Sequence, residues 1–276
     1  MVIFFIMSSL NNNPLGIFDS GVGGLTVAHA IKQILPGEDL VYFGDTAHLP
    51  YGDKSEGAII SYSRRITEFL LGHDAKLILI ACNSASASAY SVLKEEYGEK
   101  VMMLDVIDPV INYIASGDYS RVGVIGTKRT ISSGTYEKGF KARMPGCEIV
   151  SLPTPLLVPM IEEGFIYDDI SNAIIRTYLS DNSLRDLQAL VLGCTHYPVI
   201  RNQISKFYDF DIEVVDSARV VALELRKMLE ENDLLNTGEI KTADKFYVSD
   251  YTEYFEKIAR MFFEKDVSLE VKDLWV

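Results

Sequence analysis

The sequence predicts an α/β protein of two pseudo-symmetric domains, each a mostly parallel β-sheet flanked by helices. Three observations predict this fold class. Short apolar runs alternate with segments of helical spacing, the pattern restarts after Asp108-Pro109, and the 276-residue chain is 48% hydrophobic, which is enough material for two cores. Strands that alternate with helices at this spacing pair in parallel and have both faces covered.

In the first half, helices follow strands in regular alternation. A glycine-rich turn from Ser20 to Gly24 separates the first strand from its helix, and Pro36-Gly37 ends that helix. The predicted strands span 15–19, 40–44, 77–80 and 101–106, and the predicted helices span 25–35, 55–71 and 84–97.

The second half starts again with a strand, and this restart marks a domain boundary. The predicted strands span 121–126, 147–150 and 190–192, the predicted helices span about 133–143 and 168–180, and residues 153–159 are predicted to form a loop. A helix over 218–231, a segment at 246–249, a helix over 252–263 and a segment at 269–276 complete the chain. Periodicity alone does not assign these last segments to either domain.

Two of the predicted strands run into a cysteine through a small residue. One reaches Cys82 through Ala81, and the other reaches Cys194 through Gly193. In each half, a strand ending in a hydroxyl residue, Ser20 or Thr127, lies roughly 60 to 70 residues earlier, which indicates an internal duplication. Ligands of parallel sheets collect at the carboxyl ends of strands, so we expect one thiol from each domain in a shared crevice.

Each feature also has a plainer interpretation. A single cysteine is most often a buried apolar side chain, and the glycine-rich turn could need only positive φ angles or could bind an anion. The dinucleotide fingerprint fails because Thr26 stands at its last glycine, although Asp45 keeps a nucleotide interpretation open. A zinc site with His196 would have an incomplete ligand set. Cys194 beside His196 is also typical of a thiol nucleophile and its base.

Paired thiols favour a different chemistry, in which one group removes a proton from one face of a carbon and another group returns a proton to the opposite face. A net charge of −13 argues against nucleic-acid and anionic-membrane partners, so an anionic ligand would need local donors. Three cysteines make no disulfide framework, and reduced thiols in the cytoplasm are expected. The apolar stretch Met1–Met7 is too short to span a membrane, and we expect translation to start at Met7.

Five motifs together resemble the signatures of bacterial glutamate racemases, in order and over residues 15 to 200. They are Asp19-Ser20-Gly21-Val22-Gly23-Gly24-Leu25, Gly44-Asp45-Thr46, Pro50-Tyr51-Gly52, Ala81-Cys82-Asn83-Ser84-Ala85 and Gly193-Cys194-Thr195-His196-Tyr197-Pro198. The resemblance implies a cytoplasmic, cofactor-independent isomerase that interconverts L- and D-glutamate and supplies D-glutamate for peptidoglycan, and so for cell-wall biogenesis and cell shape. It implies a first domain of residues 10–108 plus 217–276 and a second domain of residues 109–216.

The resemblance also implies roles for single residues. Cys82 would be the base toward D-glutamate and Cys194 the base toward L-glutamate. Asp19, His196 and Glu162, chosen over the adjacent Glu163, would be auxiliary acid/base groups. The implied substrate-binding residues are Asp19, Ser20, Tyr51, Gly52, Asn83, Ser84, Thr195 and His196. Ser84 departs from the family pattern, where many members have threonine, but it keeps the hydroxyl group.

The sequence leaves several alternatives open. A relative that acts on aspartate is the nearest in chemistry, and His196-Tyr197 after the second thiol favours glutamate. An amino-acid-binding protein of two similar lobes would leave the Cα proton of its ligand in place. A thiol hydrolase would release ammonia or another leaving group. No metal, nucleic-acid or membrane partner is expected, and a homodimer is left open.

Overall fold

The computed structural model describes residues 11–236, 244–251, 253–263 and 269–275. The prediction about Met1–Met7 lies outside these residues. The strands are β1 (Leu15–Asp19), β2 (Leu40–Gly44), β3 (Leu77–Ile80), β4 (Met102–Asp105), β5 (Arg121–Gly126), β6 (Glu148–Pro153), β7 (Ala189–Gly193), β8 (Glu213–Val215), β9 (Lys245–Val248) and β10 (Leu269–Val271).

The first helices are α1 (Leu25–Ile34), α2 (Glu56–Leu71), α3 (Asn83–Tyr97), α4 (Asp108–Ala115), α5 (Lys128–Ser132) and α6 (Thr135–Arg143). The later helices are α7 (Leu157–Glu162), α8 (Asp169–Leu179), α9 (Arg201–Phe207), α10 (Ser217–Glu231) and α11 (Glu253–Phe263). Short 3₁₀ turns lie at Thr46–His48, Tyr51–Asp53, Asn182–Leu184 and Tyr197–Ile200. In the part of the chain that the structure describes, no helix is long and apolar enough to cross a membrane.

Among the described residues, the strands form two sheets in which every pair of neighbours is parallel. The first has the order β10-β9-β2-β1-β3-β4 and the second has the order β6-β5-β7-β8. Four consecutive strands of the first sheet, β2-β1-β3-β4, therefore have the same order as the whole second sheet. This repeated order confirms the predicted fold class and agrees with an internal duplication.

In each sheet, the strand that ends at a hydroxyl residue lies next to the strand that leads to a cysteine. In the first sheet β1, which ends before Ser20, pairs with β3, which leads to Cys82. In the second sheet β5, which ends before Thr127, pairs with β7, which leads to Cys194. Every residue of β1, β3 and β7 is buried, as expected for strands covered on both faces.

Segments that follow the second sheet in the sequence pack on the first sheet. Helix α10 packs against α1 and α4, while β9 pairs with β2 and β10 pairs with β9. Apolar periodicity identified these segments but could not locate them, because a buried face reads the same in whichever domain it packs.

Two local predictions in the second half differ from the structure. The helix predicted over 133–143 starts two residues later, as α6, because Gly134 has φ +67°, a left-handed conformation that glycine adopts without strain. The separate helix α5 that precedes it is not among the predicted helices. The loop predicted over 153–159 is wrong at both ends, since β6 extends to Pro153 and α7 starts at Leu157. Proline is tolerated in β6 because that strand lies at a sheet edge.

A buried ion pair and the hydrogen bonds of its lysine join four segments of the chain. Lys76 Nζ lies 2.6 Å from Glu38 Oε2, with both side chains almost fully buried, and also donates to the carbonyl oxygens of Asn11 and Leu234. Burial lowers the pKa of Lys76. We expect Lys76→Met to lower the free energy of unfolding by about 3–5 kcal/mol, because it leaves the Glu38 carboxylate buried and unpaired.

Urea denaturation measures this effect. The matched control is Lys141→Met, which removes an exposed pair with Glu137 on α6 and should cost less than about 1 kcal/mol. The double variant Lys76→Met/Glu38→Met should regain most of the lost stability. Equal small effects of Lys76→Met and Lys141→Met would show that the buried pair does not anchor these segments.

Candidate active site

A cavity of about 280 Å³ lies between the two domains at the carboxyl ends of their strands. Its walls hold both thiols, together with hydroxyl, amide, imidazole and carboxylate groups. The lining residues are Ser20, Leu49, Pro50, Gly52, Asp53, Cys82, Asn83, Ser84, Thr127, Lys128, Thr154, Pro155, Val158, Pro159, Glu162, Cys194, Thr195 and His196. Most of the residues predicted from the sequence therefore meet in one place.

Cys82 enters the cavity from the first domain at the residue before α3. Its Sγ donates to Ser20 Oγ at 3.6 Å, so the two adjacent strand ends of the first sheet are in contact through their side chains. Burial raises the pKa of the Cys82 thiol to about 12, and the nearby Asp19 carboxylate adds to the increase. Cys82 is therefore a thiol, a proton donor, at neutral pH in the unliganded protein.

Cys194 enters from the second domain beside a histidine that is held by a carboxylate. Cys194 Sγ lies 3.7 Å from His196 Nδ1, and His196 Nε2 lies 2.9 Å from Glu162 Oε1. Burial alone would lower the pKa of His196, but its contacts with Cys194 and Glu162 raise that pKa to about 10. A protonated His196 places a positive charge beside Cys194 Sγ. Glu163, the alternative to Glu162, is exposed and does not line the cavity.

The glycine-rich turn brings the two domains into contact. A Cβ atom on Gly23 would lie 2.4 Å from Thr195 Oγ1 and 2.5 Å from His196 Nδ1, and one on Gly24 would lie 2.5 Å from Asp19 Cβ. The glycines are thus required by close approach. Positive φ is not the reason, because among the described glycines only Gly134 and Gly164 have it.

Asp19 is completely buried behind the cavity and does not line it. Its carboxylate accepts hydrogen bonds from the backbone N–H of Gly21 at 2.9 Å and from the Thr195 hydroxyl at 3.4 Å. Burial raises the pKa of Asp19, and the nearby His196 opposes that increase. The carboxylate can therefore act on the site through Thr195 and through its charge near Cys82.

Three hydroxyl groups meet at the side of the cavity where α3 faces α5. Ser84 Oγ lies 2.9 Å from Thr127 Oγ1 and 3.3 Å from Thr130 Oγ1, and the two threonine hydroxyls are 3.0 Å apart. Thr127 is not among the site residues that the sequence predicts. A signal for it was available, since Thr127 occupies in the second half the strand-end position that Ser20 occupies in the first.

Tyr51 and Gly52, both predicted to bind substrate, have different positions. Gly52 lines the cavity, and a Cβ atom on it would lie 2.9 Å from Thr127 Cβ. Tyr51 is buried behind the cavity, where its hydroxyl donates to Asp45 Oδ2 at 2.6 Å. Asp45 also accepts from Ser249 Oγ at 2.7 Å, so its carboxylate is occupied by protein groups.

The two polar strand ends thus supply a proton donor from one domain and a thiol beside a positive charge from the other. In the described ranges no group of three or more His, Cys, Asp or Glu residues is placed to hold a metal ion. Ser20, Asn83, Ser84, Thr127 and Thr195 offer neutral hydrogen-bond donors around the thiols. Such an arrangement can bind a small anion and move protons on either side of it.

Comparison with known proteins agrees with this chemistry. A family model described as Asp/Glu/hydantoin racemase matches residues 25–225. The glutamate racemase of Chlorobaculum parvum is 40% identical over 251 residues, which cover 91% of this chain and 92% of that protein.

Solved structures of glutamate racemases also match this chain in fold and in sequence. The glutamate racemase of Francisella tularensis subsp. tularensis in complex with D-glutamate matches with a TM-score of 0.89 and 38% identity, over 96% of this chain and 99% of that chain. The glutamate racemase of Thermus thermophilus in complex with β-chloro-D-alanine matches with a TM-score of 0.84 and 34% identity, over 96% of this chain and 98% of that chain. On its sequence and its fold, the chain belongs to the Asp/Glu/hydantoin racemase family and is an isomerase.

Proposed function

We propose that this protein is a cofactor-independent glutamate racemase that uses Cys82 and Cys194 as opposed acid/base groups. The observation that carries the proposal is that two thiols, at equivalent strand ends of two repeated sheets, line one cavity. Glutamate as the substrate is supported by the relatives named above and by the match with a structure that holds D-glutamate.

The walls of the cavity suit a dicarboxylate despite the net charge of −13. The hydroxyls of Ser84 and Thr127 would bind one carboxylate. The Ser20 hydroxyl and the Asn83 amide would bind the other, together with the Thr195 hydroxyl, which would turn its proton from Asp19 to the substrate. The fold holds each of these donors in place at the cavity wall. Their hydrogen bonds offset the repulsion that the net negative charge of the protein exerts on an anionic ligand.

For L-glutamate, the proposed reaction starts with the Cys194 thiolate, which His196 stabilises by its positive charge. The thiolate removes the Cα proton and becomes a thiol, and the electron pair stays on the substrate as a carbanion. The Cys82 thiol then gives its proton to the opposite face of Cα, which yields D-glutamate and a Cys82 thiolate. The reverse reaction uses the same groups in the opposite order, so no external oxidant, reductant or cofactor enters the balance.

The remaining assignments follow from the family resemblance. Asp19, Glu162 and His196 are the auxiliary acid/base groups, with Glu162 bonded to His196 Nε2 and Asp19 bonded to the Thr195 hydroxyl. We propose that the protein is cytoplasmic and supplies D-glutamate for peptidoglycan, and that residues 10–108 with 217–276 and residues 109–216 form its two domains. A homodimer is compatible with this proposal.

Incubation of pure protein with L-glutamate in heavy water, with no added cofactor or metal, tests the function. Chiral chromatography should show equal amounts of the enantiomers at equilibrium, and NMR should show loss of the Cα proton signal. Retention of the Cα proton would indicate a binding protein, and release of ammonia would indicate a hydrolase. Faster turnover of aspartate than of glutamate would identify aspartate as the substrate.

Removal of single hydroxyls tests the binding assignment. We expect Ser84→Ala and Thr195→Ala each to lose about 1.5–3 kcal/mol of transition-state stabilisation, seen as a lower kcat/KM, because a hydrogen bond to a carboxylate is charge-assisted. Ser91→Ala, on the same helix as Ser84 but outside the cavity lining, is the control and should keep its activity. A variant at position 84 or 195 with unchanged kcat/KM would exclude that hydroxyl from the substrate site.

A further inference from the structure

A buried tyrosine from the second domain contacts the substrate site of the first domain from behind. Tyr136, in the first turn of α6, donates its hydroxyl proton to Asn83 Oδ1 at 2.8 Å, and both residues are buried. Asn83 lines the cavity, whereas Tyr136 does not. The hydrogen bond therefore joins a residue outside the site to one proposed to bind the substrate.

The geometry decides which end of the asparagine amide is available to the ligand. An asparagine side chain has a carbonyl acceptor and an NH₂ donor. Since Tyr136 occupies Oδ1, the NH₂ group of Asn83 is left for the cavity. A carboxylate needs a donor there, and the carbonyl oxygen in the same place would repel it. Burial raises the pKa of Tyr136, so its hydroxyl keeps the proton that it donates.

The same ring also supports the second thiol motif. A Cβ atom on Gly193 would lie 3.3 Å from Tyr136 Cε2, so the ring packs against the backbone one residue before Cys194. Tyr136 thus contacts the residue that follows Cys82 and the residue that precedes Cys194. It can hold the Asn83 side chain in this orientation only while the two domains are in contact.

Resting on the proposed function, we infer that Tyr136 is a positioning residue, which fixes the Asn83 amide so that its NH₂ group binds a carboxylate of glutamate. In this role Tyr136 acts through Asn83, since it does not itself line the cavity. Its contribution should therefore appear in substrate affinity, and it should depend entirely on Asn83.

The test is a double-mutant cycle of Tyr136→Phe and Asn83→Ala, with KM and kcat measured for both enantiomers and the Kd of D-glutamate measured by calorimetry. Loss of the hydroxyl should raise KM and Kd about 3- to 10-fold, the effect of one neutral hydrogen bond, with little change in kcat. In the Asn83→Ala background, Tyr136→Phe should change neither constant further.

Tyr97→Phe is the matched control, since it removes a tyrosine hydroxyl that bonds to Glu68 on the far side of the first domain. It should leave KM, kcat and Kd unchanged. Unchanged KM and Kd in Tyr136→Phe, or an equal effect of that substitution with and without Asn83, would overturn the inference. If Tyr136→Phe does not fold, Asn83→Ala alone must raise Kd, and an unchanged Kd again overturns it. Because Kd is independent of turnover, failure of the racemase assignment gives a different result, namely binding without inversion.

Discussion

Replacement of Cys82 or Cys194 by alanine is expected to lower the rate of racemisation about 1,000-fold or more in both directions. The reason is that inversion needs a proton removed from one face of Cα and another delivered to the opposite face. Loss of either thiol removes one of the two steps from each direction. Chiral chromatography of L- and D-glutamate incubations measures the effect.

The third cysteine provides the matched control. Cys147 precedes the edge strand β6 and does not line the cavity. Cys147→Ala should therefore keep wild-type activity. If either Cys82→Ala or Cys194→Ala racemised glutamate at a rate similar to that of Cys147→Ala, the assignment of two bases would be wrong.

The second large effect is expected at His196. We expect His196→Gln to lower kcat/KM about 100-fold or more, because the positive charge beside Cys194 is lost and Glu162 is left without its partner. His73→Gln, which alters a half-buried histidine away from the cavity, should leave kcat/KM unchanged.

The same residue determines a pH dependence. The pKa of His196 is raised to about 10, so its positive charge is present below that pH and is lost as the pH rises through it. The activity of the unmodified protein should therefore fall as the pH passes about 10, while the Cys82 thiol, with its pKa near 12, is still protonated. His196→Gln should lack this fall. A fall of the same size and position in both proteins would assign it to another group.

The sequence predicted the two sheets because strands buried on both faces are continuous apolar runs, and Leu77–Ile80 is a clear example. It also predicted that Cys82 and Cys194 meet, since both follow strands of parallel sheets. What it could not predict depends on three-dimensional packing. The positions of Asp19 and Tyr51 behind the cavity follow from partners far away in sequence, such as Thr195 for Asp19.

Choices between neighbours were similarly beyond the sequence pattern. Glu162 and Glu163 have the same side chain and are adjacent in sequence, and the position of Glu162 at the end of α7 is what places its carboxylate against His196. Tyr136 carries no motif that connects it with Asn83, because that contact crosses from one domain to the other. The domain boundaries themselves stay predictions.

Elimination from a glutamate analogue with a leaving group on Cβ tests each thiol separately, because it needs only one proton abstraction. The base removes the Cα proton, the leaving group departs with its electron pair, and the resulting enamine hydrolyses to a keto acid and ammonia. Keto acid release can be followed separately for each enantiomer of the analogue in Cys82→Ser and Cys194→Ser. We expect Cys82→Ser to consume the L-analogue through Cys194 and Cys194→Ser to consume the D-analogue through Cys82. Preference of both variants for the same enantiomer would contradict the placement of the two thiols on opposite faces of Cα.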